Sequence, residues 1–213
     1  NVYGSSEIIN VVEGINLAYQ NDENYRVDHH GEDFVNRKGR FMIPNVHQPT
    51  NEPQIIFVDE NIMVESFLVD HFPVKEAIGF RITFGDKTII ISGDTEITNN
   101  VFSLVNGTDI LIHDGMIKDH VLLMEKAAIE AGSRLQIAFH DILDYHADVI
   151  AIKENLIDKN LGLLIINHLV PPKNPLGNRY INDLFSDVPY DFLLAQDEDT
   201  ISISKGSSKI LIK

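Results

Sequence analysis

The chain has 213 residues, with 32 acidic against 17 basic side chains, a net charge of −15, and neither cysteine nor tryptophan. That length suits one domain with its own core, and 44% hydrophobic with 23% charged residues excludes a disordered tail. Lack of cysteine excludes disulfide frameworks, thiolate metal sites and cysteine nucleophiles, and the acidic balance opposes tight binding to nucleic-acid backbones, whose affinity comes from Lys and Arg.

In chain order, Ser5 and Ser6 precede Ile8, Val11, Val12, Ile15 and Tyr19 at three- and four-residue intervals, which predicts an amphipathic helix over 6–20. Residues 21–53 are rich in Asn, Asp, His and Pro without a clear period and read as loop or short strand. From Gln54 the texture changes. Ile55–Val58 and Ile62–Val69 are β-rich runs about the turn Asp59-Glu60-Asn61, and Gly79–Phe84 with Thr88–Ser92 forms a tight hairpin through Gly85-Asp86-Lys87. Helical periodicity follows over 96–106, 119–131 and 147–159, with strands at Ile110–Ile112 and Leu163–Ile166. A short helix near 179–186 and strands near 191–195 and 200–204 complete the series. The expected organisation is a single domain over 1–213, with 1–53 a helix and variable loop region and 54–213 a mixed α and β core. No stretch reaches the eighteen or so apolar residues of a membrane span. The first residues do not read as a signal peptide, which leaves the location open, with the cytoplasm favoured.

Candidate chemistry lies at the ends of strands. His71 follows Val69-Asp70, Asp94 follows Ile91-Ser92-Gly93, and His168 follows Ile165-Ile166-Asn167. There a rigid sheet can hold a metal ligand while the adjoining loop stays open to substrate. Imidazole and carboxylate suit zinc and similar divalent ions, and a carboxylate can bridge two of them. His146 is expected to begin the helix that feeds the His168 strand. Taken singly, each such residue is more often a turn residue or a helix cap, and Asp94 with Thr95 could cap helix 96–106. His113 and Asp114 read as hydrogen-bonding braces of the site. His29, His30, His47, His120 and His140 read as surface residues.

The ordered set Val69-Asp70-His71, Gly79-Phe80-Arg81, Ser92-Gly93-Asp94-Thr95, Asp109–Asp114 and Ile165–His168 resembles the ribonuclease Z-like branch of the metallo-β-lactamase superfamily. The resemblance covers about 55–170 and, more loosely, the start of the chain. It implies an α+β fold, a four-layer αββα sandwich incomplete at the N-terminus. It also implies two metal ions, expected to be Zn2+ with Mn2+ or Fe2+ as alternatives. His71 would bind one ion, His168 the other, and Asp94 would bridge them. His146 would protonate the leaving group or stabilise the charged transition state. A metal-bound hydroxide would be the attacking group.

Two departures shape the functional expectation. The family's His-x-His-x-Asp-His motif is missing, so each ion would have two protein ligands where catalytic zinc normally has at least three. The sequence by itself is therefore expected to bind metal weakly and to be inactive, with the front of a longer enzyme lying outside it. The transfer-RNA-processing members also carry a long arm between the Gly-Phe-Arg and Ser-Gly-Asp-Thr positions, where this chain has only a hairpin. The first expectation is thus a metal-dependent hydrolase of a small phosphodiester or ester, with nucleic acid disfavoured, no membrane partner, and a homodimer as one expected assembly. The alternatives are a ribonuclease Z-type transfer-RNA 3′-processing endonuclease and a non-catalytic metallo-β-lactamase-like protein with an incomplete metal site.

Overall fold

The computed structural model describes residues 1–36, 39, 41–207 and 209–213. The chain divides into two compact units, Asn1–Pro49 and Thr50–Lys213, close to the change of texture at Gln54.

The first unit holds strand β1 (Val2–Gly4), helix α1 (Ile8–His30) and strand β2 (Pro44–Val46), which pairs with β1 in parallel. Helix α1 runs well past the predicted end at residue 20. Asp22 and Arg26, one turn apart, form an ion pair at 2.7 Å, and Val27 is buried, so the Asn- and Asp-rich stretch stays helical despite its weak period. The helix ends at Gly31, whose φ of 79° suits glycine and whose N–H donates to the Val27 carbonyl.

The second unit is built on a seven-stranded sheet in the order β3 (Gln54–Val58), β4 (Ile62–Leu68), β5 (Ile78–Phe84), β6 (Lys87–Ile91), β7 (Thr108–Met116), β8 (Leu161–Val170) and β9 (Asp191–Leu194). The pairs from β3 to β6 are antiparallel and those from β6 to β9 are parallel. Isoleucine, leucine and valine alternate across the two faces. Ile90, Leu111, Leu164 and Ile166 join the helix-side core with Val149 and Ile152 of α5 (Val149–Asn155) and Ile181 of α6 (Pro175–Leu184). On the other face Ile110, Leu163 and Ile165 are covered by the ribbon β10 (Ile201–Ile203) and β11 (Ile210–Ile212). Helix layer, large sheet and smaller sheet supply three layers of the expected four-layer sandwich, with β10–β11 standing for its second sheet among the described residues.

Several predicted elements change length. The helix expected over 96–106 is a single turn, α2 (Asn99–Phe102), capped by Thr98 rather than by Asp94. Helix α3 (Lys118–Glu130) matches its prediction, whereas α4 (Leu135–Asp141) and β11 have no counterpart in it. His146 lies ahead of α5 rather than in it, because Asp148 caps the helix by accepting from the Ile150 N–H. A bidentate pair from Arg81 to the buried Glu65 carboxylate, at 2.6 and 2.7 Å, ties β5 to β4. Among the described residues no helix is long and apolar enough to cross a membrane.

The β7–β8 contact leaves no room at Gly162, where an added Cβ would sit 2.5 Å from the Asp109 carbonyl oxygen. Both atoms belong to paired strands that cannot shift independently. Gly162→Ala is expected to lower stability by about 2–3 kcal/mol. Gly14→Ala in α1, with nothing within 4 Å, is expected to raise it by about 0.5–1 kcal/mol. Urea unfolding of both variants checks the contrast.

Candidate functional site

The site assembles where three strands end. Beyond β4 the chain is clasped to the Ser92–Glu96 loop: the Asp70 N–H donates to Thr95 Oγ1 at 3.0 Å, and the Glu96 N–H donates to the Asp70 carbonyl at 2.8 Å. Gly93 turns that loop with φ 69°, and a Cβ there would come 3.0 Å from the Ile78 carbonyl oxygen. These contacts fix the backbone that carries His71 and Asp94. His168 is placed by a different device. The β7–β8 register runs Asp114 to Asn167 and then Gly115 to Leu169, so His168 is the extra residue of a β-bulge. Its φ of 40° is a left-handed conformation that histidine rarely adopts, and the ring is about half exposed.

The four residues singled out in the sequence come together. His168 Nε2 lies 3.4 Å from Asp94 Oδ2. The His146 ring is 5.3 Å from that of His168 and 5.7 Å from that of His71, between centroids. Two of the imidazoles have their orientation set by hydrogen bonds on Nδ1. His71 Nδ1 is 3.0 Å from the Tyr145 carbonyl oxygen, and His146 Nδ1 is 2.8 Å from Asp114 Oδ2. Both partners can only accept, which assigns the proton to Nδ1 and leaves Nε2 of each ring for the site. Asp114 thus braces His146 as expected for that position. The role of the Tyr145 main-chain carbonyl has no signature in sequence.

Asp114 is buried, which opposes its ionisation. The N–H groups that His113 and then His146 bring close to the carboxylate outweigh that effect and hold its carboxyl below the ordinary range. A cavity of about 460 Å³ opens beside His71, walled by Phe72, Pro73 and Val74 and rimmed by Asp70, Glu96 and Asp144. Burial first, then the Asp144 and Asp70 carboxylates, push the Glu96 carboxyl above its usual range.

As metal donors, His71, Asp94 and His168 have the chemistry that zinc and related ions take. Their number falls short. Among the described residues no three imidazole or carboxylate side chains are grouped so as to hold an ion. The remaining histidines play other parts. His140 Nδ1 meets Glu125 at 2.9 Å on the exposed side of α4, and the His120 ring packs 5.7 Å from Tyr180. His29 and His30 are exposed at the end of α1.

The fold has counterparts among solved structures. The metallo-β-lactamase fold protein YhfI from Bacillus subtilis superposes with a TM-score of 0.51 at 14% identity, over 80% of this chain and 60% of that one. The Zn2+-bound PqqB from Methylobacterium extorquens gives 0.52 at 13% identity, over 92% and 62%. In sequence, the chain is 27% identical over 177 residues to the ribonuclease Z of Mycobacterium tuberculosis H37Rv, covering 82% of this chain and 58% of that one. The chain is similar in sequence to ribonuclease Z proteins and shares the metallo-β-lactamase fold. The ribonuclease Z of Mycolicibacterium gilvum is 26% identical over 174 residues, covering 82% of this chain and 55% of its own length. The chain therefore spans a little over half the length of these two relatives. No known protein-family profile matches it.

Proposed function

We propose that the protein is a metal-dependent phosphodiester hydrolase of the ribonuclease Z type. In this reading the chain contributes His71, Asp94 and His168 as metal ligands and His146 as proton donor. The observation that carries it is the meeting of these four side chains beside one edge of the sheet, with His146 backed by the buried Asp114 carboxylate 2.8 Å away. In this reading the ligands that complete the set are supplied from beyond these three residues. Zinc fits the imidazole and carboxylate donors best, with manganese and iron as alternatives. His71 would hold one ion, His168 a second, and Asp94 both.

Bound there, divalent ions supply Lewis-acid polarisation of the phosphoryl group and activation of water near neutral pH. The chain's own residues do the rest. His71, donating its Nδ1–H to the Tyr145 carbonyl, is locked with Nε2 as its only lone pair. Asp114 holds the His146 Nδ1–H in the same way, so the proton that His146 gives to the departing oxygen is carried on Nε2. Burial of His146 keeps bulk water from competing for that transfer.

The name of the relatives sets RNA ahead of the small phosphodiester or ester expected from the missing arm and the acidic charge. A small substrate keeps support from two observations. Strands β5 and β6 are joined by Gly85-Asp86 alone, with no arm between them. The cavity beside His71 also sets three carboxylates against the single Lys75 cation, a balance that repels a polyanion.

The test is a single panel on protein containing the complete ligand set, with metals quantified. A 3′-extended transfer-RNA precursor, bis(p-nitrophenyl) phosphate, a carboxylic ester and a β-lactam are assayed side by side. Cleavage of both phosphodiesters, with the RNA preferred, is the expected result. Turnover of bis(p-nitrophenyl) phosphate without RNA cleavage moves the assignment to a small substrate. A metal-loaded protein inactive on all four overturns the enzyme reading in favour of a non-catalytic one.

A further inference from the structure

Behind Asp114 lies a second histidine that the proposed chemistry does not use. His113 is fully buried on the helix-facing side of β7, with its ring stacked on Phe102 at 5.5 Å between centroids and 26° between planes. Its Nε2 has no hydrogen-bond partner among the described residues. Burying an imidazole with one nitrogen unsatisfied is unfavourable, and an apolar side chain would fill the slot without that cost. The compensation lies on the other nitrogen. His113 Nδ1 is 2.9 Å from the Asp114 main-chain oxygen, to which it donates, and equally 2.9 Å from Asp114 Oδ1.

That geometry constrains Asp114. Its Oδ2 accepts from His146, while Oδ1 is buried with no hydrogen bond of its own among the described residues. The His113 N–H bonds to the main-chain oxygen and passes 2.9 Å from Oδ1 of the same residue, so its positive end draws the carboxylate towards its own backbone and restricts its side-chain torsions. With that contact removed, the carboxylate can turn about its torsions, and Oδ2 no longer stays in line with His146 Nδ1. We infer that His113 is a positioning residue for the proton donor His146, acting through Asp114. This rests on the proton-donor role assigned to His146 above, and deepens it.

The test uses protein with the complete ligand set and two substrates that differ only in leaving group, methyl p-nitrophenyl phosphate and methyl phenyl phosphate. Departure of phenolate needs a proton more than departure of p-nitrophenolate, so faulty aim of His146 shows mainly on the phenyl ester. His113→Leu is expected to lower kcat on the phenyl ester about 10–100-fold, and much less on the p-nitrophenyl ester, with KM and metal content unchanged. His113→Asn, whose amide nitrogen can take the place of Nδ1, should restore most of the loss. His113→Gln, which offers its amide further out, should not.

Equal losses on both esters, or none, overturn the inference. Should His113→Leu fail to fold, the two amides decide, and equal rates for Asn and Gln overturn it. His146→Asn is run in parallel. A leaving-group-dependent loss in His146→Asn that is missing from the His113 variants removes His113 alone, whereas full activity in His146→Asn removes the proton-donor assignment and this inference with it.

Discussion

Replacing Asp94 by alanine in protein with its complete ligand set is expected to release both metal ions together and to abolish turnover. One carboxylate has two oxygens, and a ligand shared between two ions is lost to both when it is removed. Substitution of residues that merely orient a metal ligand already costs about 10–100-fold in affinity. Loss of a bridging ligand should therefore exceed about 100-fold on the same scale. Stability offers a clean control. The Asp94 side chain is 42% exposed and caps no helix, since Thr98 performs that task for α2. Its removal should change unfolding by no more than about 0.5 kcal/mol. Metal analysis beside urea unfolding separates the outcomes. A folded Asp94→Ala protein with normal metal content ends the bridging assignment, and one that keeps a single ion makes Asp94 a ligand to the other only. His71→Ala, by contrast, should release one ion of the two.

Much of this site could be read from the sequence because strands buried on both faces write themselves as uninterrupted Ile, Leu and Val. Ile89–Ile91, Ile110–Ile112 and Leu163–Ile166 announce β6, β7 and β8, and the polar residue after each run marks the sheet's ligand-bearing edge. Asp114 was legible as a brace for the same reason. What stayed hidden depends on main-chain geometry. The bulge that singles out His168 adds no unusual residue to Asn167-His168-Leu169, and the acceptor for His71 is a carbonyl that every residue possesses. Helix α1 was underestimated because an exposed helix held by an Asp22–Arg26 pair needs little apolar period. The predicted helix over 96–106 was overestimated because Val101, Phe102 and Val105 have helical spacing yet enter the core from a single turn and the bend after it.

The second large effect is expected at His146, and it should be of a different kind. His146→Asn leaves an amide nitrogen near the position of Nδ1, so the Asp114 carboxylate keeps a donor, but the transferable imidazole proton is gone. Metal content should remain that of the parent while kcat on an ester with a poor leaving group falls about 10²–10⁴-fold, the usual worth of a placed proton donor. The p-nitrophenyl ester, whose leaving group departs without help, should be affected far less. His146→Ala adds a second consequence, because Asp114 Oδ2 then has no partner in a fully buried position. An orphaned buried acceptor costs about 1–3 kcal/mol, and more when charged, so the alanine variant should unfold earlier than the asparagine variant while sharing its catalytic defect. Equal stability of the two would mean that Asp114 is not held as an ionised carboxylate by His146. Loss of metal from His146→Asn would move His146 into the ligand set, and the proton would then have to reach the leaving group by another route.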